Sequence, residues 1–123
     1  MREELTILLV EDEPLILLDL EFAVEDRGDQ FVSATTVAQA LDVLDRCRID
    51  LAILDVNLGH GQTSAPVAQE LIRRSIPFVL HSGDLDRRNE TIRTLGARVI
   101  AKPAASAHVV SEAVGEYRLH CQA

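Results

Sequence analysis

The sequence predicts an α/β fold: a three-layer, doubly wound (βα)5 domain around a five-stranded parallel sheet in the order 2-1-3-4-5. Two observations carry this. Strand-length apolar runs alternate with helix-patterned segments along the whole chain, and parallel neighbours need crossover connections, which place helices on both faces of the sheet. The runs LTILLV (5–10), LAILD (51–55) and PFVLH (77–81) are also nearly continuous in apolar residues, as strands covered on both sides are.

The elements follow in order. After the strand at 5–10, PLILLDLEFAVEDRG (14–28) carries apolar residues at helical spacings, with Pro14 suited to a first turn and Gly28 to a stop. FVSAT (31–35) is a shorter strand, and TVAQALDVLDRC (36–47) is a helix with Val37, Ala40, Leu41 and Leu44 on one face. The strand at 51–55 leads to a helix over 63–75, and the strand at 77–81 follows. The polar stretch DLDRRNETIRTLG (84–96) has only Leu85, Ile92 and Leu95 as apolar anchors, which predicts a short, irregular or mobile fourth helix. ARVIA (97–101) is the last strand, and a helix from about Ala104 to Leu119 closes the pattern.

A chain of 123 residues fits one domain. A net charge of −8 argues against direct DNA binding, which rests on basic side chains neutralising phosphates. No apolar stretch approaches the ~20 residues of a membrane span. The opening MREELTILLVEDEP is too soon acidic for a secretory signal, so a cytoplasmic location away from membranes is expected. Cys47 and Cys121 have no metal or redox spacing, and His60, His81, His108 and His120 share none either. His81 alternates with Ser82 and is expected to point away from the strand-end pocket and pack against a neighbouring helix, while Arg73, Arg74, Arg87, Arg88 and Arg93 are expected on solvated faces, some of them meeting an acidic partner.

Open parallel sheets bind ligands at the carboxyl ends of their strands. Those ends carry Glu11 and Asp12, then Asp55, then Ser82 with Gly83, then Lys102 followed by Pro103. Three carboxylates at one edge repel unless a cation joins them. Magnesium fits, because it takes one or two carboxylates and keeps room for water and phosphate oxygens. Asp55 is then the natural nucleophile toward phosphorus. Lys102 and Ser82 can each meet a phosphoryl oxygen, and Gly83 lets backbone N–H groups approach it.

The set LLVEDEP, AILDVNL, PFVLHSG and VIAKPA resembles the receiver domain of two-component response regulators, over essentially the whole chain. The resemblance implies a flavodoxin-like, CheY-like fold and a bacterial phosphorelay protein. Asp55 would be the phosphoacceptor, and Glu11 and Asp12 the acidic pair. The backbone carbonyl of Asn57 would join the magnesium shell. Ser82 would be the switch hydroxyl and Lys102 the signalling lysine, with a cis bond to Pro103. The phosphodonor would be a sensor histidine kinase or a histidine phosphotransfer protein. LDVNLG with IPFVLHSGD is also similar to stand-alone receivers with a Pro-Phe-x-Phe-Ala-Thr signature, although Leu80, His81 and Ser82 replace Phe, Ala and Thr.

The chain departs from the family where many receivers carry an aromatic residue, three before the lysine: here stands Val99. Asn57 and Asp84 occupy positions that tune phosphate loss in receivers, so a short-lived phosphorylated form is expected. The reading is a single receiver domain over 1–123 without an effector domain, a signalling protein rather than a metabolic enzyme, whose output passes through a further, unidentified protein. The alternative is a pseudo-receiver that binds proteins without phosphate.

Overall fold

The structure is a computed structural model and describes residues 3–83 and 94–122. The elements run β1 (Thr6–Val10), α1 (Pro14–Asp26), β2 (Gln30–Ala34), α2 (Val37–Arg46), β3 (Leu51–Asp55), α3 (Ala65–Arg73), β4 (Phe78–Ser82), β5 (Arg98–Ala101) and α4 (Ser106–Gln122). All strands are parallel, in the order β2-β1-β3-β4-β5, as the alternation of patterns predicts. Most of the stretch read as an irregular fourth helix, and Asp84 with it, lies outside the described residues.

Two apolar layers sandwich the sheet. Leu8, Val10, Leu54 and Leu80 face Ala40, Leu44, Val67 and Leu71 of α2 and α3. Ile7, Leu9, Ile53 and Val79 face Leu20, Val24, Val109 and Val110 of α1 and α4. Consecutive strand residues thus enter opposite layers, which is the pleat at work. β3 is buried along its whole length, as the middle strand of such a sheet must be.

Local chemistry sets the helix ends. Pro14 starts α1 with its φ already helical, and Gly28, at φ 80°, takes the left-handed position just past its end. Thr36 caps α2 by accepting from the backbone N–H of Gln39 at 3.1 Å, while the Gln39 side chain accepts from the Thr35 backbone at 2.9 Å.

Arg74 is one of the arginines that meet acidic partners, while Arg87, Arg88 and Arg93 lie outside the described residues. Arg74 donates to the Leu44 carbonyl at 2.6 Å, to Asp45 at 2.5 Å and to Glu70 at 2.7 Å, tying the end of α3 to the end of α2. The physical reason is the exposed C-terminal carbonyls of α2, which need donors from outside the helix. Among the described residues, no helix is long and apolar enough to cross a membrane.

Candidate functional site at the carboxyl edge of the sheet

Asp55 is the last residue of β3, Glu11 and Asp12 follow β1, and Lys102 follows β5. The strand order therefore brings them to one edge although 91 residues separate Glu11 from Lys102. They surround a pocket of about 320 Å³ lined by Asp12, Glu13, Asp55, Asn57, Gly59, Gly83 and Lys102. Lys102 donates to Asp55 Oδ1 at 3.1 Å and more weakly to Glu11 Oε2 at 3.5 Å. The second Glu11 oxygen accepts from the Glu13 backbone at 3.1 Å, which fixes the carboxylate under the turn into α1.

Asp55 is 4% exposed and Glu11 1%. Burial pushes the Asp55 carboxyl up to about 8, the neighbouring Glu11 pushes the same way, and Lys102 opposes both. Burial works against the charge on Lys102, but the facing Asp55 and Glu11 carboxylates outweigh it and raise its pKa. Among the described residues, one ammonium faces three carboxylates here. Oxygen atoms of Glu11, Asp12 and Asp55 lie within 4.8 Å of one another. An all-oxygen donor set with an excess of negative charge suits a hard divalent cation such as magnesium.

The loop after β3 completes the wall. Its backbone closes through Leu58 to Gln62 at 3.0 Å, Gln62 to Gly59 at 2.9 Å and a bridge between Asn57 and Thr63. Gly59 has φ +79°, and a Cβ there would stand 3.1 Å from Asp12 Oδ2. Asn57 accepts from the Gly59 N–H with its side-chain oxygen at 3.2 Å and lines the pocket. Sequence reasoning did not assign Gly59 or Glu13 to the site; the glycine-flanked LGHG turn was the available signal for the first.

Ser82 is fully buried, and its hydroxyl has no hydrogen-bond partner among the described residues. It is not among the residues lining the pocket, where Gly83 stands instead. The Lys102–Pro103 peptide bond is cis, as the resemblance implies. Val99 is half-buried against the layer of α2 and α3. His81 turns to the other side of the sheet, toward α1, as alternation predicts.

No protein-family model matches the chain. It is 34% identical over 101 residues to the alginate biosynthesis transcriptional regulatory protein AlgB of Pseudomonas putida, covering 79% of this chain and 22% of that protein. The chain thus spans about a fifth of the length of that curated relative. SdrG from Sphingomonas melonis Fr1 is 39% identical, with a TM-score of 0.80 and coverage of 96% of this chain and 99% of that one. A response regulator receiver protein from Sinorhizobium medicae is 25% identical, with a TM-score of 0.80 over 96% of this chain and 98% of that one. With the strand order, the acidic edge and these relatives together, the chain belongs to the receiver domains of two-component response regulators.

Proposed function

We propose that the chain works as one receiver domain that accepts a phosphoryl group on Asp55 from a histidine kinase or a histidine phosphotransfer protein. The observation that carries this is the contact of Lys102 with Asp55 at 3.1 Å inside a three-carboxylate cluster. A carboxylate oxygen of Asp55 attacks phosphorus, the new P–O bond forms as the donor's P–N bond breaks, and the leaving nitrogen takes a proton. Asp12, Glu11, Asp55 and the Asn57 carbonyl would hold magnesium, which supplies neutralisation between the carboxylates and the incoming phosphoryl oxygens. Lys102 then turns from Asp55 to a phosphoryl oxygen, Gly83 keeps the strand end narrow enough for the backbone to come close to another, and Ser82 turns its buried hydroxyl to the third. Asp84 and Asn57 govern how water removes the group.

The output is a contact with another protein, so this is a signalling phosphoacceptor and not a metabolic enzyme. α1 starts one residue after Glu13 and presents Leu15, Leu18 and Phe22 exposed along one side. That stripe suits a phosphodonor protein approaching the pocket.

Intact mass after incubation with magnesium and phosphoramidate tests the reading. One added phosphoryl group is expected in the wild type and none in Asp55→Asn. No adduct in either protein, together with no magnesium binding, would turn the reading to a phosphate-independent pseudo-receiver.

A further inference from the structure

His81 is 3% exposed, and neither ring nitrogen has a hydrogen-bond partner among the described residues. Buried polar groups without partners are rare and costly, so this imidazole needs an explanation. It lies directly beside Asp55 in the β3–β4 register. Its ring lines a cavity of about 180 Å³ with Ile16, Asp19, Lys102, Pro103 and Ser106.

Lys102 is the residue common to this cavity and to the acidic pocket. Its ammonium carries three donors. Two are directed at Asp55 and Glu11, which leaves one among the described residues. A neutral imidazole carries one acceptor nitrogen, and burial together with the charge on Lys102 holds His81 down to about 4, so the ring is neutral at physiological pH. Asp19 is exposed and Ser106 half-buried, so both can satisfy themselves with solvent. His81 cannot.

We propose that His81 is a positioning residue for Lys102, taking its third ammonium proton, directly or through one water, from the side of the sheet opposite Ser82. The imidazole then limits how far the lysine can swing when it leaves Asp55 for a phosphoryl oxygen. This role in phosphorylation rests on the reading of Asp55 given above, whereas the contact itself does not.

Nitrogen-15 NMR of the His81 ring tests the contact without any chemistry. Lys102→Met is expected to shift the unprotonated ring nitrogen toward the position of a free acceptor, and an unchanged resonance overturns the proposal. The second readout uses phosphoramidate. His81→Leu is expected to slow phosphorylation about tenfold, the worth of one charge-assisted hydrogen bond, with the magnesium Kd within about twofold of wild type. His81→Gln, which keeps an acceptor, is expected to recover most of the rate and serves if the leucine variant does not fold. A wild-type rate in His81→Leu, or a glutamine variant as slow as the leucine one, overturns the positioning role. A ring nitrogen that moves in Lys102→Met while the wild type takes no phosphoryl group keeps the contact and removes the phosphoacceptor reading instead.

Discussion

Gly59 sets how closely the loop after β3 can approach Asp12. Its φ of +79° is left-handed, and an added Cβ would stand 3.1 Å from the Asp12 carboxylate. Gly59→Ala should therefore cost about 1–2 kcal/mol from the backbone alone, read by urea unfolding, and should weaken magnesium binding in calorimetry by displacing Asp12. Asp55 gives a second residue-scale prediction. Its pKa of about 8 lies above the unfolded value of 3.8, so the folded state binds more protons than the unfolded one between those limits. Stability in the absence of metal must then fall as pH rises through this window and level off above it. His81, lowered from 6.5 to about 4, works in the opposite sense, mainly between those values and fading over the next unit of pH. In chelator between pH 6.5 and 8, the difference between wild type and Asp55→Asn isolates Asp55: a steeper decline is expected in wild type than in Asp55→Asn. Equal slopes would mean that Asp55 is already ionised without a cation.

At the scale of elements, α3 shows how sharply one helix divides core from surface. Leu71 is fully buried against the sheet, whereas Ile72, next in the chain, is 52% exposed. Leu71→Ala is expected to cost about 2–5 kcal/mol and Ile72→Ala within about 0.5 kcal/mol, compared by urea unfolding. Comparable losses would mean that the face is misassigned. The strands and helices themselves were legible in the sequence because an apolar run such as LAILD has one use in a sheet covered on both sides. That some arginine meets an acid was legible; which helix Arg74 reaches was not. Its three acceptors include the Leu44 carbonyl and Asp45, about thirty positions earlier, and no local pattern announces a helix-to-helix tie of that reach. The loop geometry around Gly59 was also hidden, because it depends on where Asp12 stands after folding.

For the whole molecule, topology does the gathering. The order β2-β1-β3-β4-β5 puts the ends of β1, β3 and β5 around one pocket, which is why Glu11, Asp12, Asp55 and Lys102 were identifiable from strand ends alone. The His81 cavity was not identifiable, since it needs the turn after Lys102 to pass over α1. Ser82 and His81 separate for the same pleat that builds the two apolar layers. A cation held only by the folded state must stabilise it by mass action, by about 2.7 kcal/mol at one hundred times its Kd. The thermal midpoint should rise with magnesium in wild type and stay nearly constant in Asp12→Asn; an equal rise in both would remove Asp12 from the cation site.

The position of the phosphoryl group on the chain can be read directly. After incubation with phosphoramidate and magnesium, borohydride reduces an acyl phosphate to the alcohol, so a phosphorylated aspartate becomes homoserine. Peptide mass spectrometry should then find homoserine at position 55 and unmodified side chains at Glu11 and Asp12. A phosphorylated chain whose reduced residue is Asp12, Glu11 or any other carboxylate would remove Asp55 as the phosphoacceptor.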